Sequence, residues 1–259
     1  MSGTLPGFER QLVEGGESLA EAWERHAAKW VVAAHTPTRD SYWLYHRDQF
    51  LDLLPPPGRL TLDVGCGEGR LSRDVKALGH SVVGLDASPT LVAAAREADP
   101  EIEVHLGDAA SLPFADGCAD LVVQFMCLQD IDDAAGAIRE AARVLEPGGR
   151  LCLAIVHPFN SAGLFEAREA DSPFVVRGTY LERYRYRDVV DRRGYAMIFE
   201  SEHRPIGWYA AQLAGAGFLI EQLRETGVPE SAIDEPHKRR WQRLPMFLHI
   251  RAAAHREAI

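Results

Sequence analysis

The sequence predicts an α/β fold built on a doubly wound, mostly parallel sheet. Two observations predict it. From Leu60 onward, short apolar runs alternate with helical stretches, the pattern of strands joined by helical crossovers. Three glycines alternate at Gly65, Gly67 and Gly69, directly after the apolar pair Leu62 and Val64. A glycine-rich turn at the end of a buried strand lets a ligand approach the main chain closely.

The elements follow in order. Residues 1–57 read as a helical segment. Its first helix, Ser18 to Ala34, opens on a serine with Glu21 three positions later, the spacing of a capping box. A second helix is expected over Ser41 to Leu54, closed by the prolines at 55–57. Strands are expected at 60–65, 81–86, 102–107, 119–126, 149–157, 217–225 and 245–252, with helices near 69–78, 89–98 and 133–145. The rhythm breaks after His157. Residues 158–205 are too long for a bare loop and read as a small β-rich cap, with strands near 174–180, 183–190 and 195–203 and a hairpin signal DRRG at 191–194. A helix at 206–216 returns to the core. The organisation is then a helical segment 1–57, a core 58–157, a cap 158–205 and a C-terminal part of the core, 206–259.

Composition narrows the function. The chain has 259 residues, enough for one α/β domain with a decoration. A net charge of −10 disfavours a nucleic-acid partner. No stretch approaches a membrane span and no signal-peptide order opens the chain, so a cytoplasmic protein is expected. Cys66, Cys118, Cys127 and Cys152 form no CxxC pair and read as reduced thiols. No His/Cys cluster has metal-ligand spacing, so no metal is expected.

The glycines admit two cofactor classes, dinucleotides and S-adenosylmethionine (SAM). The dinucleotide fingerprint needs a third glycine where Arg70 stands, so it fails. What stands is D-x-G-x-G-x-G, from Asp63 through Gly69. The next strand ends in Asp86, placed to accept both hydroxyls of a ribose. The third ends in Asp108, placed for an adenine amine, with Leu112, Pro113 and Phe114 apolar enough to wall a purine. Each acid alone would be read as capping its turn; both behind the glycine turn favour a ligand.

In LDVGCGEGR (62–70), VVGLDAS (82–88), GDAASLPFADGCADLVV (107–123) and VLEPGGRL (144–151), the chain resembles the class I SAM-dependent methyltransferases, small-molecule type. The resemblance covers 58–157 closely and 206–252 more loosely. It implies a Rossmann-like seven-stranded sheet whose last strand runs antiparallel, which would make 245–252 the final edge strand. It implies that Gly65, Cys66 and Gly67 line the methionine part of SAM, with Asp63 beside them. Asp86 would hold the ribose, with Ala87 and Ser88 beside the adenine and Asp108 and Ala109 on its edge. Gln124, Phe125 and Met126 would pass beside the sulfonium, and Tyr42 or Tyr45 would reach the cofactor from the N-terminal helices. Cys66 reads as a small filler of the turn.

Methyl transfer from a sulfonium is an in-line displacement with a neutral leaving group, so positioning supplies most of the help. His157, after the fifth strand, and His203, where the cap returns to the core, are the candidate bases, each also readable as a structural histidine. Gln129 is a candidate to face the acceptor or to cap the next helix. The cap aromatics Phe159, Phe165, Phe174, Tyr180, Tyr184, Tyr186, Tyr195 and Phe199, with Trp208 and Tyr209 beyond it, read as part strand pair, part lid over an apolar or aromatic small molecule. Arg177, Arg183, Arg185 and Arg187 read as a solvated face, and HKRRWQR at 237–243 as surface in the loop before the last strand. The expected function is methyl transfer to a small molecule by a monomer or homodimer. The alternatives are a protein, peptide or RNA acceptor, or SAM binding without methyl transfer.

Overall fold

A computed structural model describes residues 3–5, 8–34, 40–176, 178–191 and 196–255. Strands are β1 (Gly3–Leu5), β2 (Phe8–Val13), β3 (Thr61–Val64), β4 (Val82–Asp86), β5 (Glu103–Leu106), β6 (Ala119–Phe125), β7 (Leu145–Val156), β8 (Gly163–Phe165), β9 (Phe174–Val176), β10 (Tyr184–Asp191), β11 (Ala196–His203), β12 (Phe218–Thr226) and β13 (Phe247–Ala254). Helices are α1 (Leu19–Ala34), α2 (Arg47–Leu51), α3 (Arg70–Ala77), α4 (Pro89–Ala98), α5 (Ala134–Val144), α6 (Pro158–Ala162) and α7 (Ile206–Gly215).

Seven strands form the central sheet in the order β12-β13-β7-β6-β3-β4-β5. β7, β6, β3, β4 and β5 run parallel, and β13 runs antiparallel to both β7 and β12. The fold is a Rossmann-like seven-stranded sheet. The last strand is antiparallel as expected, but it is not the edge. Its run FLHIRAAA is buried along most of its length, whereas β12 alternates exposed positions and forms the border. A strand covered on both faces reads as a near-continuous apolar run, and β13 does so.

Helices cover both faces. Leu62, Leu153, Leu248 and Ile250 pack with Ile138 of α5 and Leu213 of α7. On the other face Val123 and Ala154 meet Phe50 of α2 and Leu71 and Val75 of α3. Chain order reverses on either side of β3, which pairs with β4 and with β6. At such a switch point the strand ends splay apart and leave a crevice.

The N-terminus departs from the helical expectation. β1 and β2 join the cap in a second sheet of order β1-β2-β10-β11. Arg10 of β2 lies opposite Asp188 of β10 and pairs with it at 2.7 Å. The partner strand lies far away in sequence, so nothing local announces this pairing. The capping box of α1 forms as expected, with Ser18 N–H and Oγ donating to Glu21 Oε2 at 2.8 Å. The second expected helix is broken instead into a five-residue π turn, Tyr42–His46, followed by α2. β8 and β9 form a separate hairpin of the cap. The DRRG turn signal, Tyr195 and Arg177 fall wholly or mostly outside the described residues.

Candidate active site

A cavity of about 1160 Å³ runs from the glycine turn to the underside of the cap. On its first wall Gly65 and Gly67 have φ of +78° and +58°, and Gly69, the N-cap of α3, has +79°. A Cβ on Gly65 would stand 2.6 Å from Cys127 Cβ, so the position demands glycine twice over. A Cβ on Gly67 would meet only Trp30 Nε1 at 4.0 Å and would project into open space.

The acids around this turn are spaced by backbone hydrogen bonds. Asp86 accepts from Gly67 N–H at 2.8 Å and from Ser88 N–H at 2.9 Å. Asp63 is 2 % exposed; it accepts from Ser72 Oγ, and its Oδ1 has no partner. Burial pushes the Asp63 carboxyl up to about 7, against the Ser72 hydrogen bond and with help from the negative charges of Asp86 and Glu68. Glu68 is buried; its Oε1 accepts no hydrogen bond but lies 3.8 Å from the Arg70 guanidinium and 4.0 Å from that of Arg73. A buried carboxylate oxygen without a partner, Asp63 Oδ1, at the cavity suits a cationic ligand. SAM carries a sulfonium and an ammonium, so these residues fit it.

The sequence-predicted cofactor residues fall into two groups. Asp63, Gly65, Cys66, Gly67, Asp86, Ala87, Ser88, Asp108, Ala109, Phe125, Met126 and Tyr42 all line the cavity. Ser88 also caps α4, accepting from Leu91 N–H at 3.1 Å. Asp108 accepts from Ala110 N–H at 2.9 Å. Burial raises the Cys66 thiol well above its ordinary value, so it stays protonated and inert. Gln124 does not reach the cavity. It is fully buried and donates to Ala137 O at 3.3 Å, because its strand position faces α5. Leu112 and Phe114 pack into the core and do not wall the cavity; Leu91 lines it in their place.

Neither candidate base lines the cavity. His157 caps α6, accepting from Phe159 N–H at 3.0 Å, and its Nε2 meets Glu225 Oε1 at 2.9 Å. His203 engages Ser161 Oγ at 2.6 Å and Tyr180 O at 2.9 Å, and stacks on Tyr184. Burial lowers both imidazoles below their ordinary value. Both ring nitrogens of each are engaged by protein groups, the arrangement of structural histidines.

The second wall holds residues that sequence reasoning missed. Asp130 follows β6 by one short turn and lines the cavity. Its Oδ1 accepts from Ser201 Oγ of β11 at 2.6 Å and its Oδ2 from Gln129 Nε2 at 3.0 Å. Burial pushes this carboxyl up to about 7, against those two hydrogen bonds and the charge of Arg204. Arg204 is fully buried and clamps the turn, donating to Leu128 O and Ile131 O at 2.7 Å. Met126 sits between at φ 56°, the only non-glycine residue with positive φ among those described. Strain of this kind persists where surroundings impose it, often at functional sites. Trp23 and Trp30 of α1 meet Phe199 of the cap edge-on, at 6.2 and 6.0 Å. His46, on the π turn, faces the cavity and pairs with His249 at 3.2 Å. Burial holds His46 well below its ordinary value and pushes His249 down to about 4. Of the cap aromatics, Phe165, Tyr186 and Phe199 line the cavity; the other described ones pack elsewhere. Among the described residues no His/Cys/Asp/Glu group suited to a metal ion occurs, and no helix is long and apolar enough to cross a membrane.

Residues 62–153 match the methyltransferase-domain family. Demethylmenaquinone methyltransferase of Beutenbergia cavernae is 39% identical over 98 residues, 38% of this chain and 41% of that protein. Malonyl-[acyl-carrier protein] O-methyltransferase of Pectobacterium atrosepticum is 35% identical over 108 residues, 41% of this chain and 43% of that protein. The matched segment thus spans less than half the length of these curated relatives. The solved structure of a SAM-dependent methyltransferase from Mesorhizobium loti superposes with a TM-score of 0.69 and 25% identity, covering 84% of this chain and 99% of that one. With motif order, sheet topology and cavity in agreement, residues 62–153 carry a methyltransferase domain and the chain has the class I SAM-dependent methyltransferase fold.

Proposed function

We propose that the protein transfers a methyl group from SAM to a small, apolar or aromatic acceptor held under the cap, releasing S-adenosylhomocysteine. The observation that carries this reading is the single cavity joining the glycine turn to a chamber roofed by α1 and the cap. Its volume of about 1160 Å³ is ample for a cofactor and a small acceptor together. A folded macromolecule would need an open groove. Of the named relatives, one is a demethylmenaquinone methyltransferase and the other a malonyl-[acyl-carrier protein] O-methyltransferase, whose acceptor is borne on a protein.

Bound SAM supplies an electrophilic methyl group on a neutral leaving group. Asp63 and Glu68 hold its cationic end, Asp86 its ribose, and Ala87, Ser88, Asp108 and Ala109 its adenine. Met126 and Phe125 set the wall where the methyl group and the acceptor meet. Alignment by these walls supplies most of the acceleration. Asp130 takes the acceptor's proton. Its carboxyl sits near neutrality, where a base is strong enough to accept a proton and still ionised in part. The buried His46–His249 pair is too weakly basic for that task, and His157 and His203 do not reach the cavity.

The test uses SAM labelled on its methyl group, incubated with the full chain and a cell extract split by size. Label in the small-molecule fraction, lost in Asp86→Ala, supports the reading. Label confined to the macromolecular fraction overturns the small-molecule acceptor. Cofactor binding with label in neither fraction supports a SAM-binding protein without methyl transfer.

A further inference from the structure

The basic run HKRRWQR, expected on the surface, is split by the fold. Pro236–Gln242 forms a 3-10 turn before β13, and His237, Lys238, Arg240 and Trp241 of it line the cavity. Most of its cations are matched. Lys238 pairs with Asp234 at 2.6 Å, Arg239 with Glu230, and Arg243 donates to Ala170 O and Ser172 O. Arg240 is the exception. It is 9 % exposed, it donates only to Ala167 O at 2.6 Å, and its Nε has no partner. Among the described residues no carboxylate lies within ion-pairing distance of it, although Glu169 is near enough to be felt. Arg168 lies nearby and adds like charge, while pairing with Glu235 at 3.7 Å.

A guanidinium taken out of water without a carboxylate costs the fold free energy. Such a cost persists where a ligand offsets it. The surroundings suit an anion attached to an apolar body: the guanidinium lies over Phe165 at 5.1 Å, and Trp241 meets Phe165 edge-on at 4.9 Å. A carboxylate or phosphate facing the guanidinium would gain charge-assisted hydrogen bonds while the apolar body that carries it contacts these rings.

We propose that Arg240 anchors an oxyanion, a carboxylate or phosphate, carried by the acceptor, so that the substrates are anionic small molecules with an apolar body. This rests on the reading of the cap-side chamber as the acceptor site. Asp130 and Arg240 then divide the chamber's work: one faces the group that gains the methyl, the other holds the anionic end.

The test titrates the full chain with benzoate, phenyl phosphate and the neutral benzamide by calorimetry. At least one anion should bind about tenfold or more tightly than benzamide. That preference should vanish in Arg240→Gln and survive in part in Arg240→Lys. The preferred anion, benzoate or phenyl phosphate, assigns the oxyanion. Equal binding of all three probes, or an anion preference that persists in Arg240→Gln, overturns the proposal. S-adenosylhomocysteine is titrated into the same samples. Its unchanged affinity in Arg240→Gln shows that the variant is folded. Its binding without an anion preference sinks the Arg240 site alone, whereas an Arg240-dependent anion preference without cofactor binding sinks the methyltransferase reading and leaves the anion site standing.

Discussion

The wall we read as the cofactor's comes mainly from three short runs, 63–70, 85–91 and 107–109, whereas the wall we read as the acceptor's gathers Arg10, Trp23, Asp130, Tyr186, Ser201 and Arg240 from the whole chain. On the first wall backbone amides and glycines do the positioning, and each run is a strand end followed by its turn. On the second, side chains do it, and the cap sheet must close first to bring them together. A wall made from local turns is specified by spacing. A wall made from distant side chains depends on long-range ion pairs and on how the cap docks.

The largest expected effect breaks the acceptor wall at its seam. Arg10→Met leaves Asp188 buried without its cation and removes hydrogen bonds to Ser161 O and Gly163 O. A loss of about 4 kcal/mol is expected in chemical denaturation, with the cap affected before the central sheet in hydrogen exchange. Gly65→Ala is the matching test on the cofactor wall. It meets both the left-handed φ of +78° and the 2.6 Å contact with Cys127, so about 3 kcal/mol is expected. A smaller loss would show that the turn yields.

Asp130→Asn separates chemistry from folding. With an acceptor that must lose a proton, kcat should fall by roughly 100-fold while the affinity for S-adenosylhomocysteine holds. The wild-type rate should rise with pH as the carboxyl ionises near 7, and that limb should disappear in the variant. Stability moves the other way. Burial raises this carboxyl from 3.8 to about 7, so the folded chain holds more protons than the unfolded chain across that window, and stability falls as pH rises through it. Asp130→Asn should flatten that fall. The smallest effect is expected for His157→Asn, with kcat within about threefold of wild type. A large loss of kcat with stability intact would return His157 to the chemistry.

The same contrast explains how much could be read from the sequence. The seven strands of the sheet and the turn at 63–69 were legible because period, glycine spacing and strand-end acids are local signals. Within them Gln124 misled, since a strand's two faces look alike in an apolar run, and it faces α5. The N-terminal strands were missed because β2 finds its partner in the cap. Histidine is the residue type a reader expects as a base, yet His157 and His203 are held by Glu225, Ser161 and main-chain groups. Asp130 carried no local signal beyond an acid one turn after a strand end. Its proposed role emerges only when Ser201, 71 residues away, closes on it. Arg240 was hidden beside Arg239 and Arg243, which do face solvent.

The central claim is that the glycine turn, Asp86 and Asp108 form one cofactor site opening into the acceptor chamber. Calorimetric titration of S-adenosylhomocysteine into the wild-type chain and Asp86→Ala tests it most directly. The account predicts one saturable site per chain in the wild type and an affinity weakened by about 100-fold or more in a variant that remains folded. Absence of binding to the wild type, or equal affinity in Asp86→Ala, would contradict it.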